Sequence, residues 1–91
     1  MMDVARSVRV TGRVQGVFFR AWAKDEAETI GLAGWIRNDE DGSVVAHLEG
    51  SEAAIAEMID LMREGPPDAT VENVEVEETD SEGLDRFEVR H

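Results

Sequence analysis

An α+β sandwich is the fold class this sequence predicts: an antiparallel sheet with two helices on one face and a short extra C-terminal strand. Three observations predict it. Two stretches carry apolar residues at helical spacing, and the stretches around them alternate apolar and polar residues as strands do. Glycine marks most of the junctions between them. The 91 residues are enough for one core and too few for two, so residues 1–91 are read as a single domain.

The elements follow in order. Val8 and Val10 alternate with Ser7, Arg9 and Thr11, as in a strand with one buried face. Gly12 and Gly16 bracket the loop after it. From Phe19 the apolar side chains fall at Phe19, Trp22, Ala23, Ala27 and Ile30, the stripe of a helix that Gly31 caps. The apolar stretch Leu32–Ile36, then Arg37 and Asn38, leads into the turn Asp39-Glu40-Asp41-Gly42. Val44, Ala46 and Leu48 alternate beyond that turn, so a β-hairpin is expected. Ser51 N-caps a second helix with the stripe Ile55, Met58, Ile59 and Met62, and Gly65-Pro66-Pro67 ends it. Val74 and Val76 alternate with Glu75 and Glu77 in a strand exposed on one face, and Phe87 and Val89 mark a short final strand. The order is βαββαβ with one short addition, the ferredoxin-like plan. Trp22 and Trp35 are read as core aromatics.

Composition excludes several classes of function. Cysteine is absent, which removes disulfides, thiolate metal sites and cysteine nucleophiles. No apolar run approaches the ~20 residues that span a bilayer. The start, Met1-Met2-Asp3-Val4, lacks the parts of a signal peptide, so a cytoplasmic soluble protein is expected. A formal charge of -12 opposes the phosphate backbone of nucleic acids. Eight Arg stand against one Lys, and 21 acids surround them. That balance fits either a surface adapted to high salt or a plainly acidic protein.

The basic residues are not spread evenly. Val4 to Lys24 contains no Asp or Glu, yet holds Arg6, Arg9, Arg13, Arg20 and Lys24, five of the nine basic residues. At its centre lies Gly12-Arg13-Val14-Gln15-Gly16-Val17-Phe18-Phe19-Arg20, a strand end, a glycine-bracketed loop and an arginine where a helix begins. Successive amides in such a turn make an anion nest, and a helix N-terminus adds partial positive charge. The loop matches neither G-x-x-x-x-G-K-[ST] nor G-x-G-x-x-G. Two readings are open at this point, a phosphate cradle and a tight turn with a solvated arginine. Connectivity adds one constraint: if strands one and two both run upward, Arg20 and Asn38 arrive at the same end of the sheet.

The nine residues Gly12 to Arg20 closely resemble the first signature of the acylphosphatase family. Gly34-Trp35-Ile36-Arg37-Asn38, followed by Gly42-Ser43-Val44 and Gly50, is similar to the second. Order, spacing and length agree across essentially the entire chain. The resemblance implies a ferredoxin-like fold and hydrolysis of the carboxyl–phosphate anhydride bond, giving a carboxylate and inorganic phosphate. It implies that Arg20 binds phosphate, that Asn38 orients water, and that Gln15, Gly16, Val17, Phe18 and Phe19 supply the surrounding loop amides. The chain departs from the family where Asp39 replaces a small hydroxyl residue, and where Glu49 and Ala46 replace the usual Gln and Gly.

An acyl phosphate is already activated, because its leaving group is a carboxylate of low basicity. The protein needs to hold the phosphoryl oxygens, neutralise charge and place water in line. Arg20 grips two oxygens with a planar fork. The Asn38 amide oxygen accepts from water while its NH₂ donates to phosphate. Neither is a general base at neutral pH; the phosphate itself is one candidate proton acceptor, and the sequence leaves that choice open. No metal and no cofactor is expected; His47 is read as a strand-surface residue and His91 as an isolated one near the end of the sequence. Asp39-Glu40-Asp41 is read as a solvated hairpin tip, or as a repulsive patch slowing substrate capture, and Arg13 and Arg37 as added positive field or partners for these acids. The expected partner is a small acyl phosphate, with no nucleic acid and no membrane, and the protein is expected to be a monomer. The alternative is a non-catalytic ferredoxin-like module that binds phosphate or acyl phosphate.

Overall fold

The computed structural model describes residues 3–91. Its elements are β1 (Val4–Arg13), α1 (Phe19–Ile30), β2 (Ala33–Asn38), β3 (Val44–Gly50), α2 (Glu52–Glu64), β4 (Thr70–Thr79) and β5 (Phe87–Val89). The strands form a single sheet in the order β4-β1-β3-β2-β5. β1 runs antiparallel to β3 and β4, and β2 antiparallel to β3, as the ferredoxin-like plan requires.

β5 breaks the expected antiparallel pattern. It pairs parallel with β2, through Gly34↔Phe87, Trp35↔Glu88 and Ile36↔Val89, and the sheet is therefore mixed. The reason is directional. β4 descends beside β1, and the segment 80–86 crosses at that lower end to the other edge. A strand entering there must rise, as β2 does.

Alternation decides what is buried. Val8 and Val10 of β1, Ile36 of β2 and Val44, Ala46 and Leu48 of β3 form one face of the sheet. Both helices cover that face, α1 with Phe19, Ala23 and Ala27, and α2 with Ile55, Met58 and Met62. Trp22 packs against this core and meets Phe19 edge-on at 5.4 Å between ring centroids. Burying one such side chain contributes about 1.5–3 kcal/mol. Ser51 caps α2, its hydroxyl accepting from the Ala54 amide at 3.1 Å. One glycine is dictated by packing: a Cβ at Gly34, φ +147°, would stand 1.9 Å from the His47 carbonyl oxygen.

The other face of the sheet differs from expectation at two residues. His47 is buried, 4% exposed, rather than a surface residue. Its Nε2 lies 2.6 Å from Glu49 Oε2, and its ring stacks on Trp35 at 5.8 Å. Trp35 is accordingly half-buried on this face and lies outside the apolar core. Glu49 ties down the crossing segment, accepting from the Ser81 hydroxyl at 3.0 Å, the Leu84 amide at 3.1 Å and the Glu82 amide. Burial alone would raise the Glu49 carboxyl, but these donors and His47 hold it at about 2.

Candidate active site

The chain leaves β1 at Arg13 and enters α1 at Phe19 through a loop with two left-handed residues, Gly16 at φ 74° and Phe18 at φ 62°. Glycine adopts that conformation freely, whereas Phe18 adopts it against the sterics of its own Cβ. Backbone alternating in this way turns successive N–H groups toward one concavity. Phe18 is the N-cap of α1 and makes no side-chain capping bond, and the first turn contains no acid. The orphan amides of this helix start are left facing outward with no carboxylate to compete for them.

The side chains divide the loop into parts. Val17 is buried and anchors it to the core. The Gln15 side chain turns to the hairpin, donating to the Asp39 carbonyl at 2.8 Å and the Ser43 carbonyl at 2.9 Å. Gly16, Phe18, Phe19 and Arg20 line a cavity of about 370 Å³, and Asn38 lines it from the end of β2. Gln15 and Val17 do not line that cavity.

Arg20 and Asn38 are held quite differently. Arg20 Nη1 donates to the Arg90 carbonyl at 3.2 Å and lies 3.2 Å from His91 Nδ1. A guanidinium has only donors, so the His91 nitrogen accepts there. Asn38 Oδ1 is buried and has no hydrogen-bond partner among the described residues. Leaving such an oxygen unpaired costs about 1–3 kcal/mol. An orphan of this kind marks a place where water or a ligand donates.

Val89 and His91 also line this cavity. Sequence reasoning missed both, and read His91 as isolated. The signal was present in the short alternating stretch Phe87-Glu88-Val89, but the edge it joins was needed to place its end beside Asn38.

Asp39 is neither free nor repulsive. Arg9 Nη1 donates to Asp39 Oδ2 at 3.1 Å and to Asp41 Oδ2 at 2.9 Å, while Arg37 Nη1 donates to Asp39 Oδ1 at 2.9 Å. The hydrogen bonds from Arg37 and Arg9 hold the Asp39 carboxyl at about 2. Two of the three acids in the turn are therefore neutralised by arginines of β1 and β2. Arg9 was the partner overlooked, because it lies some thirty residues away in sequence.

A larger cavity, about 630 Å³, opens at the opposite end of the sheet, where Glu28, Glu49 and Asp85 line it. Those carboxylates oppose an anion, and no buried side-chain oxygen or nitrogen there lacks a partner among the described residues. Nor do the described residues contain a group of three or more His, Asp or Glu fit to hold a metal ion.

Comparison with known proteins gives the family. A family model described as Acylphosphatase matches residues 6–89. The chain is 52% identical over 83 residues to an acylphosphatase of Mesorhizobium japonicum, spanning 89% of this chain and 88% of that one. It is 48% identical over 90 residues to an acylphosphatase of Haloarcula marismortui, spanning 99% of each. Among solved structures it is similar to an acylphosphatase from Coxiella burnetii, with a TM-score of 0.93 and 39% identity over 97% of this chain and 93% of that chain.

Proposed function

The chain belongs to the acylphosphatase family and hydrolyses acyl phosphates, and we propose that Arg20 and the 15–20 loop hold the phosphoryl group while Asn38 aims the water. The observation that carries this reading is the orphan Asn38 Oδ1, on a residue that lines the same cavity as Arg20 and the start of α1.

The steps follow from what each group can donate or accept. The amides of Gly16 to Arg20 and the Arg20 fork receive the phosphoryl oxygens and neutralise their charge. Asn38 Oδ1 accepts one hydrogen of a water, and its NH₂ donates to a phosphoryl oxygen, which fixes the water against phosphorus. The water oxygen bonds to phosphorus as the bond from phosphorus to the acyl oxygen breaks. That oxygen departs as a carboxylate, and both water protons end on the phosphate product. No residue needs to act as a base, since the phosphoryl oxygens take the proton.

Two variants separate the roles. Asn38→Ala lowers kcat on benzoyl phosphate by on the order of 10²-fold, as loss of one positioned polar group does elsewhere. Inorganic phosphate still competes with substrate in that variant. Arg20→Lys weakens phosphate competition and turnover together, because charge stays but the fork is lost. Full turnover by Asn38→Ala would overturn its role.

The same reading makes residues 1–91 one catalytic domain, a cytoplasmic monomer acting on free small acyl phosphates without metal, nucleic acid or membrane. No helix among the described residues is long and apolar enough to cross a membrane. The charge of -12 and the likeness to a Haloarcula acylphosphatase support a surface adapted to salt.

A further inference from the structure

An acyl phosphate has two ends, and the groups assigned so far meet only the charged one. Phe18 stands apart in this molecule. The residue is 81% exposed, while the other large exposed hydrophobic among the described residues, Val76 at 38%, sits on the edge strand β4. Phe18 also adopts a left-handed backbone, φ 62° and ψ 24°. Glycine or asparagine would make that bend with less strain. The anion nest needs only the Phe18 backbone, so the ring is unexplained by phosphate binding.

The ring lines the same cavity as Arg20 and Asn38. Much of the remaining wall is apolar, contributed by Val14, Phe19 and Val89. The cavity, about 370 Å³, lies within the range of ~300–1,000 Å³ usual for whole small-molecule ligands. A phosphoryl group fills only part of that space. In-line attack also assigns the ends of the cavity. In the mechanism given above the water attacks from the Asn38 side. The acyl oxygen leaves opposite to it, toward the rest of the lining, which includes the exposed Phe18.

We propose that Phe18 is a specificity-determining residue: its ring, with the apolar wall that includes Val89, packs on the acyl group and favours aromatic and bulky apolar acyl phosphates over acetyl phosphate. The proposal deepens the function given above and rests on the phosphoryl group sitting at Arg20 and the loop amides. The acyl group covers a ring otherwise left in water, and that desolvation is the source of the preference.

The test compares kcat/KM for benzoyl phosphate and acetyl phosphate in the unaltered protein, Phe18→Leu and Phe18→Ala. The ratio of the two substrates within each protein cancels any loss through the loop backbone, and comparing that ratio between proteins cancels their intrinsic reactivities. Phe18→Ala lowers the benzoyl-to-acetyl ratio about tenfold, the scale of a lost apolar contact in a pocket, and Phe18→Leu lowers it less. A ratio unchanged within about twofold of the unaltered value in Phe18→Ala overturns the proposal. Should Phe18→Ala fail to fold, phenylphosphonate and methylphosphonate serve as competitors of the unaltered protein. The phenyl compound then binds several-fold tighter, and equal inhibition by the two overturns the proposal. Inorganic phosphate keeps the two levels apart. If it does not compete with substrate, the Arg20 site itself is wrong and the proposal falls with it. If it competes while the ratio stays put, the acyl platform alone is wrong.

Discussion

Phe18 and Asn38 break opposite rules, one keeping an aromatic ring in water and the other an amide oxygen out of it. Both violations lie on a single cavity. A stability cost concentrated at one place is the mark of a functional site. Replacing the orphan with carbon should therefore stabilise the fold. Asn38→Leu is expected to raise unfolding stability by about 1 kcal/mol, seen as a higher urea midpoint, while turnover is lost. A lower midpoint would mean that Asn38 is paired in solution in a way the structure does not show. At this scale the sequence was partly legible. Arg20 and Asn38 stood out through a glycine-bracketed loop and connectivity, and their roles came with the resemblance. The solvent-facing ring of Phe18 could not be read, because its neighbour Phe19 has the same chemistry and is buried. Only the helix phase separates the two.

Glu49 shows how one side chain organises an element that has little structure of its own. The segment 80–86 has no regular structure, yet Ser81, Glu82 and Leu84 all donate to this carboxylate. The Glu49 carboxyl is held at about 2, below its ordinary 4.5. A depressed carboxyl adds stability that is complete above the unfolded value and disappears as pH falls through the folded one. The urea midpoint should therefore decline between about pH 4.5 and pH 2, and Glu49→Gln should flatten that decline. An unaltered pH profile in Glu49→Gln would assign the acid sensitivity elsewhere, with Asp39 the next candidate because Arg37 and Arg9 lower it similarly. Gly34 gives a second expectation at this scale. Gly34→Ala drives a methyl into the His47 carbonyl and forces β2 from β3, at a cost of roughly 3 kcal/mol or more in chemical denaturation. The order of elements was legible from periodicity, whereas the parallel pairing of β5 was not. Three residues carry too little pattern to say which edge they join, and the deciding contact is made by a buried glutamate on another strand.

The whole molecule carries its negative charge unevenly. Arg9 and Arg37 balance Asp39 and Asp41 beside the cavity, while the edge strand β4 exposes Glu72, Glu75 and Glu77. Repulsion among uncompensated acids falls as salt rises. Thermal unfolding should move to higher temperature between low and molar salt, and a flat response would remove the salt-adapted reading. Hydrolysis of benzoyl phosphate should persist after prolonged treatment with a chelator, because the proposed site meets phosphate charge with Arg20 and amides; a loss restored by adding metal would refute that. Net charge could be read from composition, but not its placement, since Arg9 reaches its acids only across the assembled sheet. β5 is in register with β2 over just three residue pairs, yet it supplies Val89 to the cavity and covers the outer border of β2. Peeling that short strand away would open the catalytic wall and bare an unpaired row of β2 amides and carbonyls in one event. Inactivation and self-association under mild stress would then be two symptoms of one lesion, and a clamp fastening β5 to β2 would cure both.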